Sequence, residues 1–130
     1  MKLLLDTHTA LWWMNEHEKL SNKAKELLAD DANSLYVSTV SVWEVAVKTR
    51  IQKLYEFNGG SKAFLAKVEQ MPITLLSITP QYAALVEALP IQKNHRDPFD
   101  HLLVATAIAE NMTILTIDKN IKEYGVPTVW

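Results

Sequence analysis

Short apolar runs alternate along this chain with segments whose apolar residues recur at helical spacing. Such runs, when turn signals bound them, indicate strands, and strands that alternate with helices form a parallel sheet with helices on both faces. The predicted strands are residues 3–5, 35–38, 73–78, 113–117 and 128–130. We therefore expect an α/β fold with a central parallel sheet of about five strands flanked by helices.

The predicted helices lie between these strands. Five of them cover residues 9–15, 21–29, 41–54, 61–71 and 80–89, and the polar residues 30–33 end the second. A sixth helix begins at residue 98, and a short helical turn covers residues 119–124. In the segment from 98, Pro98 suits the first helical position and Asp97 the N-cap. Thr106 is the single polar residue between Leu102 and Ala109, so we expect this helix to be buried almost all round.

The length of 130 residues fits one domain, residues 1–130, with a core that needs neither disulfides nor a structural metal. The absence of cysteine excludes thiolate zinc sites and thiol nucleophiles. No apolar run approaches the roughly 20 residues of a bilayer span, and the first apolar run is too short for a signal peptide. We expect a cytoplasmic protein without a membrane segment. A net charge of −2 gives no overall attraction to nucleic acid, which would need a local basic patch.

Four acidic residues are expected at one edge of the predicted sheet. Asp6 and Asp118 end predicted strands, whereas Glu44 and Asp100 stand near the start of predicted helices. Ligands of open parallel sheets bind beyond the carboxyl ends of the strands, and these acids should converge there.

Each acid also has a purely structural explanation. Ser41 and Glu44 have the spacing of a capping box, Glu44 and Lys48 that of a helical ion pair, and the aspartates all suit caps or first turns. A cap contributes about 1 kcal/mol, however, whereas two carboxylates about 4 Å apart repel by roughly 4 kcal/mol at an effective dielectric of about 20. A divalent cation would relieve that repulsion, and oxygen ligands favour Mg²⁺ or Mn²⁺ over zinc. Asp97 is the least suited ligand, because backbone amides occupy an N-cap oxygen.

Several basic side chains near the acids are candidate contacts for a phosphate backbone. They are Lys48, His95, Arg96 and His101. Charged runs are usually solvated faces, and a passive packing role is the favoured interpretation of His101. Beside a metal site such cations are stronger evidence for nucleic-acid binding, because contacts between cations and phosphates hold a nucleic-acid strand in register.

Trp12 has an unusual position in the first predicted helix. Ala10, Trp13 and Met14 share one face, and Trp12 lies about 100° round from it. We therefore expect its indole to lie outside the core, on a surface that contacts a partner.

Four motifs, in order through nearly the whole chain, resemble those of one nuclease family. They are LLLDTH at 3–8, SVWEVAVK at 41–48, DPFDHLLVATA at 97–107 and TID at 116–118. The chain resembles PIN-domain ribonucleases, specifically the VapC-type toxins of bacterial and archaeal toxin–antitoxin pairs. No single motif is decisive, but the ordered set is specific.

The resemblance implies a metal-dependent endoribonuclease. Its acidic quartet, which coordinates Mg²⁺ or Mn²⁺, would be Asp6, Glu44, Asp100 and Asp118. Water activated by the metal would attack an RNA phosphodiester in line and leave 5′-phosphate and 3′-hydroxyl ends. The resemblance further implies a homodimer, or a hetero-oligomer with the small antitoxin that inhibits it, with Trp12 at an interface. Relatives often carry arginine in place of His101, so a charge contact to RNA would be weaker or pH-dependent here.

Three other classes of protein compete with this interpretation. A haloacid-dehalogenase phosphatase needs a second aspartate where this chain has His8, and a response-regulator receiver needs one where it has Thr79 and Pro80. The stronger alternative is a catalytically silent PIN-like scaffold that binds a protein partner or RNA. The four intact acids favour the enzyme.

Overall fold

Five parallel strands form the centre of the molecule, in a computed structural model that describes residues 1–130. The strands are β1 Lys2–Leu5, β2 Ser34–Ser38, β3 Thr74–Leu76, β4 Thr113–Leu115 and β5 Thr128–Val129. They pair in the order β3-β2-β1-β4-β5, and every pair is parallel. The prediction of an α/β fold with about five parallel strands is confirmed.

Seven α-helices connect and cover these strands. They are α1 Thr7–Met14, α2 Asn22–Ala29, α3 Thr39–Arg50, α4 Gly60–Gln70, α5 Pro80–Leu85, α6 Pro98–Glu110 and α7 Lys119–Lys122. A 3₁₀ turn, Val86–Ala88, extends α5. None of the helices combines the length and hydropathy that crossing a bilayer requires.

The central strand β1 divides the core into two clusters. Successive side chains of a strand point to opposite faces of its sheet. Leu3 and Leu5 accordingly pack with residues of α1, α2 and α4, whereas Leu4 packs with residues of α6 and α7. All three leucines are fully buried, which explains why β1 is an unbroken apolar run.

Helix α6 begins where the sequence predicts. Asp97 is its N-cap and accepts a hydrogen bond from the backbone N–H of Phe99, and Pro98 is its first residue. The segment Leu103 to Ala107 is buried on every side, although Ile108 in the last turn is 45% exposed. The buried middle of the helix therefore anchors the residues at its N-terminus.

Helix α3 differs from its prediction at both ends. Its N-cap is Ser38, whose hydroxyl accepts the N–H of Val40, so Ser41 lies inside the helix and the predicted capping box is wrong. The last residue of β2 thus also starts α3, with no intervening loop. The helix ends at Arg50 because Gln52 adopts a left-handed conformation, with φ of 56°, in which the N–H of Lys53 bonds the carbonyl of Lys48.

Trp12 is buried, and the expectation that it forms a partner surface is wrong. Only 6% of the residue is exposed, and its indole Nε1–H donates to Glu56 Oε2 at 3.0 Å. Its ring also packs against Trp130, with centroids 5.8 Å apart. The segment after α3 and the C-terminal residue cover this side of α1, a long-range contact that helical periodicity does not reveal.

Candidate functional site

The strand order places a crevice at the carboxyl ends of β1 and β4. The chain leaves β1 toward β2 on one side, and β4 occupies the other side, so the direction of winding reverses at β1. Such a reversal is where open α/β sheets bind ligands. Leu5 is in register with Leu115, so Asp6 and Thr116 emerge side by side at this edge.

A cleft of about 350 Å³ opens there, and its walls are mostly polar. Its acidic lining residues are Asp6, Glu44, Asp97, Asp100, Asp118 and Glu56. Its cationic or ionisable lining residues are His8, Lys19 and Lys48. The structure thus brings all four predicted acids into one cleft, although they come from four separate parts of the sequence.

Asp6 is a buried carboxylate whose two oxygens both accept hydrogen bonds. As the N-cap of α1 it accepts the backbone N–H of Thr9 at 2.7 Å, and its other oxygen accepts the hydroxyl of Thr116. Its burial raises the pKa of Asp6, an effect that these hydrogen bonds oppose. A positive charge close to this carboxylate would favour its ionised form.

Glu44 lies in the second turn of α3 and is 4% exposed. Its Oε1 is 2.7 Å from the hydroxyl of Thr7, which in turn is 2.9 Å from the hydroxyl of Ser41. Its Oε2 accepts from Lys48 Nζ at 2.5 Å. The helical pairing of Glu44 with Lys48 that the sequence predicts is therefore present, and it brings a cation to the cleft.

Asp100 is the third residue of α6, and His95 holds one of its oxygens. The imidazole Nε2 of His95 is 2.8 Å from Asp100 Oδ2. Burial and the neighbouring charge of Asp97 raise the pKa of Asp100 to about 7, although the hydrogen bond and charge of His95 act in the opposite direction. The ionised form of Asp100 thus carries an electrostatic cost in the protein without a cation.

Asp118 is the N-cap of α7 and accepts the backbone N–H of Asn120 at 2.9 Å. Thr116 links it to Asp6, because the Thr116 hydroxyl accepts the N–H of Asp118 at 3.0 Å while donating to Asp6. Sequence reasoning assigned Thr116 no role of its own. The signal was a hydroxyl two residues before a capping aspartate, a common local turn.

The predicted phosphate contacts do not all reach the cleft. Lys48 lines it, and His95 lies against Asp100. Arg96 and His101 line a separate depression of about 290 Å³, and His95 lines that depression rather than the cleft. His8 and Lys19, which were not among the predicted contacts, lie on the cleft wall.

The donor groups of this cleft fit a divalent cation. His95, Asp100 and Asp118 each offer one ligand atom within 4.8 Å of the other two. Asp6 and Glu44 add carboxylates in the same cleft, and oxygen-rich sets of this kind suit hard divalent ions. The raised pKa values of Asp6 and Asp100 indicate carboxylates that a bound cation would stabilise in their charged form.

Comparison with known proteins agrees with this arrangement. The sequence model described as PIN domain matches residues 3–127, a range that includes all four acids. The chain belongs to the PIN domain family. Over its length this PIN domain is also similar to Ribonuclease VapC22 of Mycobacterium tuberculosis, with 31% identity over 133 aligned residues that cover 98% of each chain.

Solved structures share the fold of this PIN domain. The crystal structure of VapBC2 from Rickettsia felis bound to a fragment of promoter DNA contains a chain with a TM-score of 0.68 at 19% identity, over 99% of this chain and 98% of that one. The crystal structure of Mycobacterium tuberculosis VapC20, described as a sarcin–ricin loop cleaving toxin, also gives 0.68, at 16% identity over 95% of both chains. These similarities establish a common architecture.

Proposed function

We propose that this PIN domain is a metal-dependent endoribonuclease that hydrolyses RNA phosphodiester bonds as the toxin of a toxin–antitoxin pair in the cytoplasm. The single observation that carries the proposal is the cleft in which Asp6, Glu44, Asp100 and Asp118 converge. The similarity to Ribonuclease VapC22 over nearly the full length of both chains supports the choice of RNA as substrate.

The ion would be Mg²⁺ or Mn²⁺, held by Asp6, Glu44, Asp100 and Asp118. A softer metal would need cysteine or several histidines as ligands, and this cleft offers mainly carboxylates. When bound, such an ion lowers the pKa of water and neutralises charge on a phosphoryl group. The chain itself fixes the carboxylates beforehand. The hydroxyl of Thr116 and the backbone N–H of Thr9 hold Asp6 in place, so this carboxylate would need little reorganisation to bind an ion.

Cations on the cleft walls would bind the substrate backbone. Lys48 and Lys19 line the cleft, and each also lies near a glutamate, so a phosphate would share or replace an existing carboxylate partner. His8 is exposed beside them. Arg96 would contact RNA beyond the cleft, whereas His95 and His101 would act on the protein rather than on phosphate.

The proposed reaction adds water across one P–O bond. The water oxygen forms a bond to phosphorus as the P–O3′ bond breaks in line, and the leaving 3′-oxygen gains a proton. The products are therefore an RNA with a 3′-hydroxyl and an RNA with a 5′-phosphate. Attack by an external water makes the 2′-hydroxyl unnecessary, which separates this reaction from metal-free cleavage through a cyclic phosphate.

We further propose a small antitoxin as partner and a homodimer or toxin–antitoxin hetero-oligomer as the assembled form. The support is that several similar structures are named as VapBC assemblies. Because Trp12 is buried, Trp43 is a better candidate for an interface. It is 46% exposed and packs edge-on against Phe99, with ring centroids 4.6 Å apart.

The proposed activity is tested by incubating the purified, antitoxin-free chain with structured RNA in Mg²⁺ or Mn²⁺. We expect the unmodified chain to cleave the RNA, and we expect no cleavage when EDTA is added or when the Asp100→Asn variant replaces it. The fragments should carry 5′-phosphates and 3′-hydroxyls. Cleavage that persists both in EDTA and in the variant would refute the metal mechanism, and RNA binding without cleavage would indicate the silent scaffold instead.

A further inference from the structure

A continuous chain of hydrogen bonds leads from Asp100 away from the cleft. His95 Nε2 is 2.8 Å from Asp100 Oδ2, and the other ring nitrogen, Nδ1, is 2.9 Å from the hydroxyl of Tyr124. The same hydroxyl is 3.0 Å from Nε2 of His101. The His95 side chain is 9% exposed and Tyr124 is 6% exposed, so both groups are largely shielded from water.

Counting hydrogens gives this chain a direction. An ionised carboxylate only accepts hydrogen bonds, so when Asp100 is ionised, as a bound cation would favour, His95 donates to it through Nε2–H. In a neutral imidazole Nδ1 is then unprotonated and accepts the hydroxyl hydrogen of Tyr124. Since that hydroxyl has one hydrogen, its oxygen accepts from Nε2–H of His101. Every group in the chain is satisfied, and no buried side-chain polar atom of the protein lacks a partner.

The three aromatic side chains come from separate elements and pack as one cluster. His95 precedes α6, His101 lies in its first turn, and Tyr124 follows α7. Their ring centroids are between 5.5 and 5.8 Å apart. This packing limits the rotation of His95, and the hydrogen bonds set which nitrogen faces Asp100.

We propose that His95 is a positioning residue for the metal site. Tyr124 and the neighbouring His101 hold its ring, and His95 in turn fixes one oxygen of the Asp100 carboxylate, so that the other oxygen of Asp100 is free to bind the ion. The inference rests on the proposed role of Asp100 as a metal ligand. Partners that orient a ligating side chain commonly contribute 10–100-fold to metal affinity or activity. Sequence reasoning expected His95 to contact phosphate, and its hydrogen bonds favour the carboxylate instead.

The competing role for His95 is that of a direct ligand. A ligating nitrogen must be unprotonated, so Nε2 would have to give up its hydrogen to bind the ion. His95 would then carry hydrogen on Nδ1 and donate to Tyr124, and the Tyr124 hydroxyl would donate to His101 or to the backbone carbonyl of His95, which is 3.4 Å away. The two roles thus require opposite directions for the hydrogen bond between His95 and Tyr124.

Nitrogen NMR of the uniformly ¹⁵N-labelled full chain, saturated with Mg²⁺, distinguishes the two roles. Two-bond correlations between ring hydrogens and nitrogens report the tautomer, and His95→Gln assigns the His95 signals by their disappearance. We expect His95 to keep its hydrogen on Nε2 in the Mg²⁺-bound protein. Hydrogen on Nδ1 with an unprotonated Nε2 would overturn the positioning role.

Binding of Mn²⁺ by calorimetry, in the absence of RNA, tests the support that Tyr124 gives. Tyr124→Phe should bind Mn²⁺ about 10-fold more weakly, because His95 loses the donor that fixes its tautomer. Tyr82→Phe is the matched control, since Tyr82 is also 6% exposed and loses one hydrogen bond, to Glu110, outside the cleft. We expect its Mn²⁺ affinity to equal that of the unmodified chain. Equal affinities for both variants would overturn the proposal.

Substitution of His95 provides an independent measurement. His95→Ala should bind Mn²⁺ about 10–100-fold more weakly, and His95→Gln should recover most of the affinity because its amide can donate to Asp100. Equal losses in both would contradict the positioning role. If His95→Ala does not fold, Tyr124→Phe and the tautomer still decide the question. If the unmodified chain does not cleave RNA but the variants show these differences in Mn²⁺ affinity, the proposed activity is refuted and the positioning role of His95 stands.

Discussion

At the scale of single residues, the site depends on carboxylates that the fold holds in surroundings where their ionisation is unfavourable. Asp6 and Asp100 are both shielded from water, and burial is the main cause that raises the pKa of each. Asp97 adds to the effect at Asp100. A protein gains nothing in stability from ionising such groups without a cation, so their placement is best explained by what they bind.

The raised pKa of Asp100 predicts how the metal-free protein responds to pH. Its pKa is about 7 in the folded protein against the ordinary value of 3.8, so between these values the folded state binds more protons than the unfolded state. The free energy of unfolding therefore falls as pH rises from about 4 to about 7, by at most about 4 kcal/mol from this residue. Urea denaturation in EDTA at several pH values measures this fall.

Asp100→Asn is the control for that experiment. The amide cannot ionise, so the variant should lose this part of the pH dependence and be the more stable protein at pH 8. Parallel pH profiles for the two proteins would show that Asp100 is not the source.

Thr116 shows how one hydroxyl can align two of the acids. It donates to Asp6 and accepts from the backbone of Asp118. Thr116→Val keeps the shape but leaves both partners unsatisfied, and we expect it to lower the free energy of unfolding by about 1–3 kcal/mol and to reduce RNA cleavage. Thr116→Ser, which keeps the hydroxyl, should restore both. Denaturation and cleavage assays on the pair decide the matter, and equal behaviour of Val and Ser would refute this role for the hydroxyl.

At the scale of secondary-structure elements, the junctions between strands and helices carry the site. Asp6 caps α1 directly after β1, and Ser38 caps α3 directly after β2. Because α3 begins at Thr39, Glu44 lies one and a half turns along the helix, where its side chain reaches Thr7. Because these connections are so short, the register of the strands determines where the acids lie.

The start of α3 gives a prediction at this scale. Ser38→Ala removes the hydroxyl that accepts the N–H of Val40, and we expect it to lower the free energy of unfolding by about 1 kcal/mol. Thermal or urea denaturation with circular dichroism detects such a change. An unchanged stability would show that α3 does not depend on this cap.

These junctions also show how far sequence patterns reach. The apolar runs predict the strands, and Asp97 with Pro98 predicts the start of α6, because both signals are local. The order of the strands, the burial of Trp12 by Glu56 and Trp130, and the hydrogen bonds of Tyr124 depend on residues far apart in the chain. Hydrophobic periodicity contains no information on such contacts, so structure was needed to find them.

At the scale of the whole molecule, charge is arranged unevenly. The net charge is only −2, yet the cleft at the carboxyl edge of the sheet gathers six acidic side chains. RNA approaching this cleft would meet repulsion unless a divalent ion and the nearby lysines offset it. In the proposed mechanism metal binding and RNA cleavage are therefore inseparable, and the essential negative charge belongs to the metal ligands rather than to every acid in the cleft.

The most direct test compares two adjacent acids in one assay, in which initial rates of RNA cleavage are measured against Mg²⁺ concentration. Asp97→Asn keeps a good N-cap and removes a charge that is not assigned to the ion, so its rate should stay within about tenfold of the unmodified chain. Asp100→Asn should give no detectable cleavage at any Mg²⁺ concentration. Comparable rates for Asp100→Asn and the unmodified chain would contradict the account.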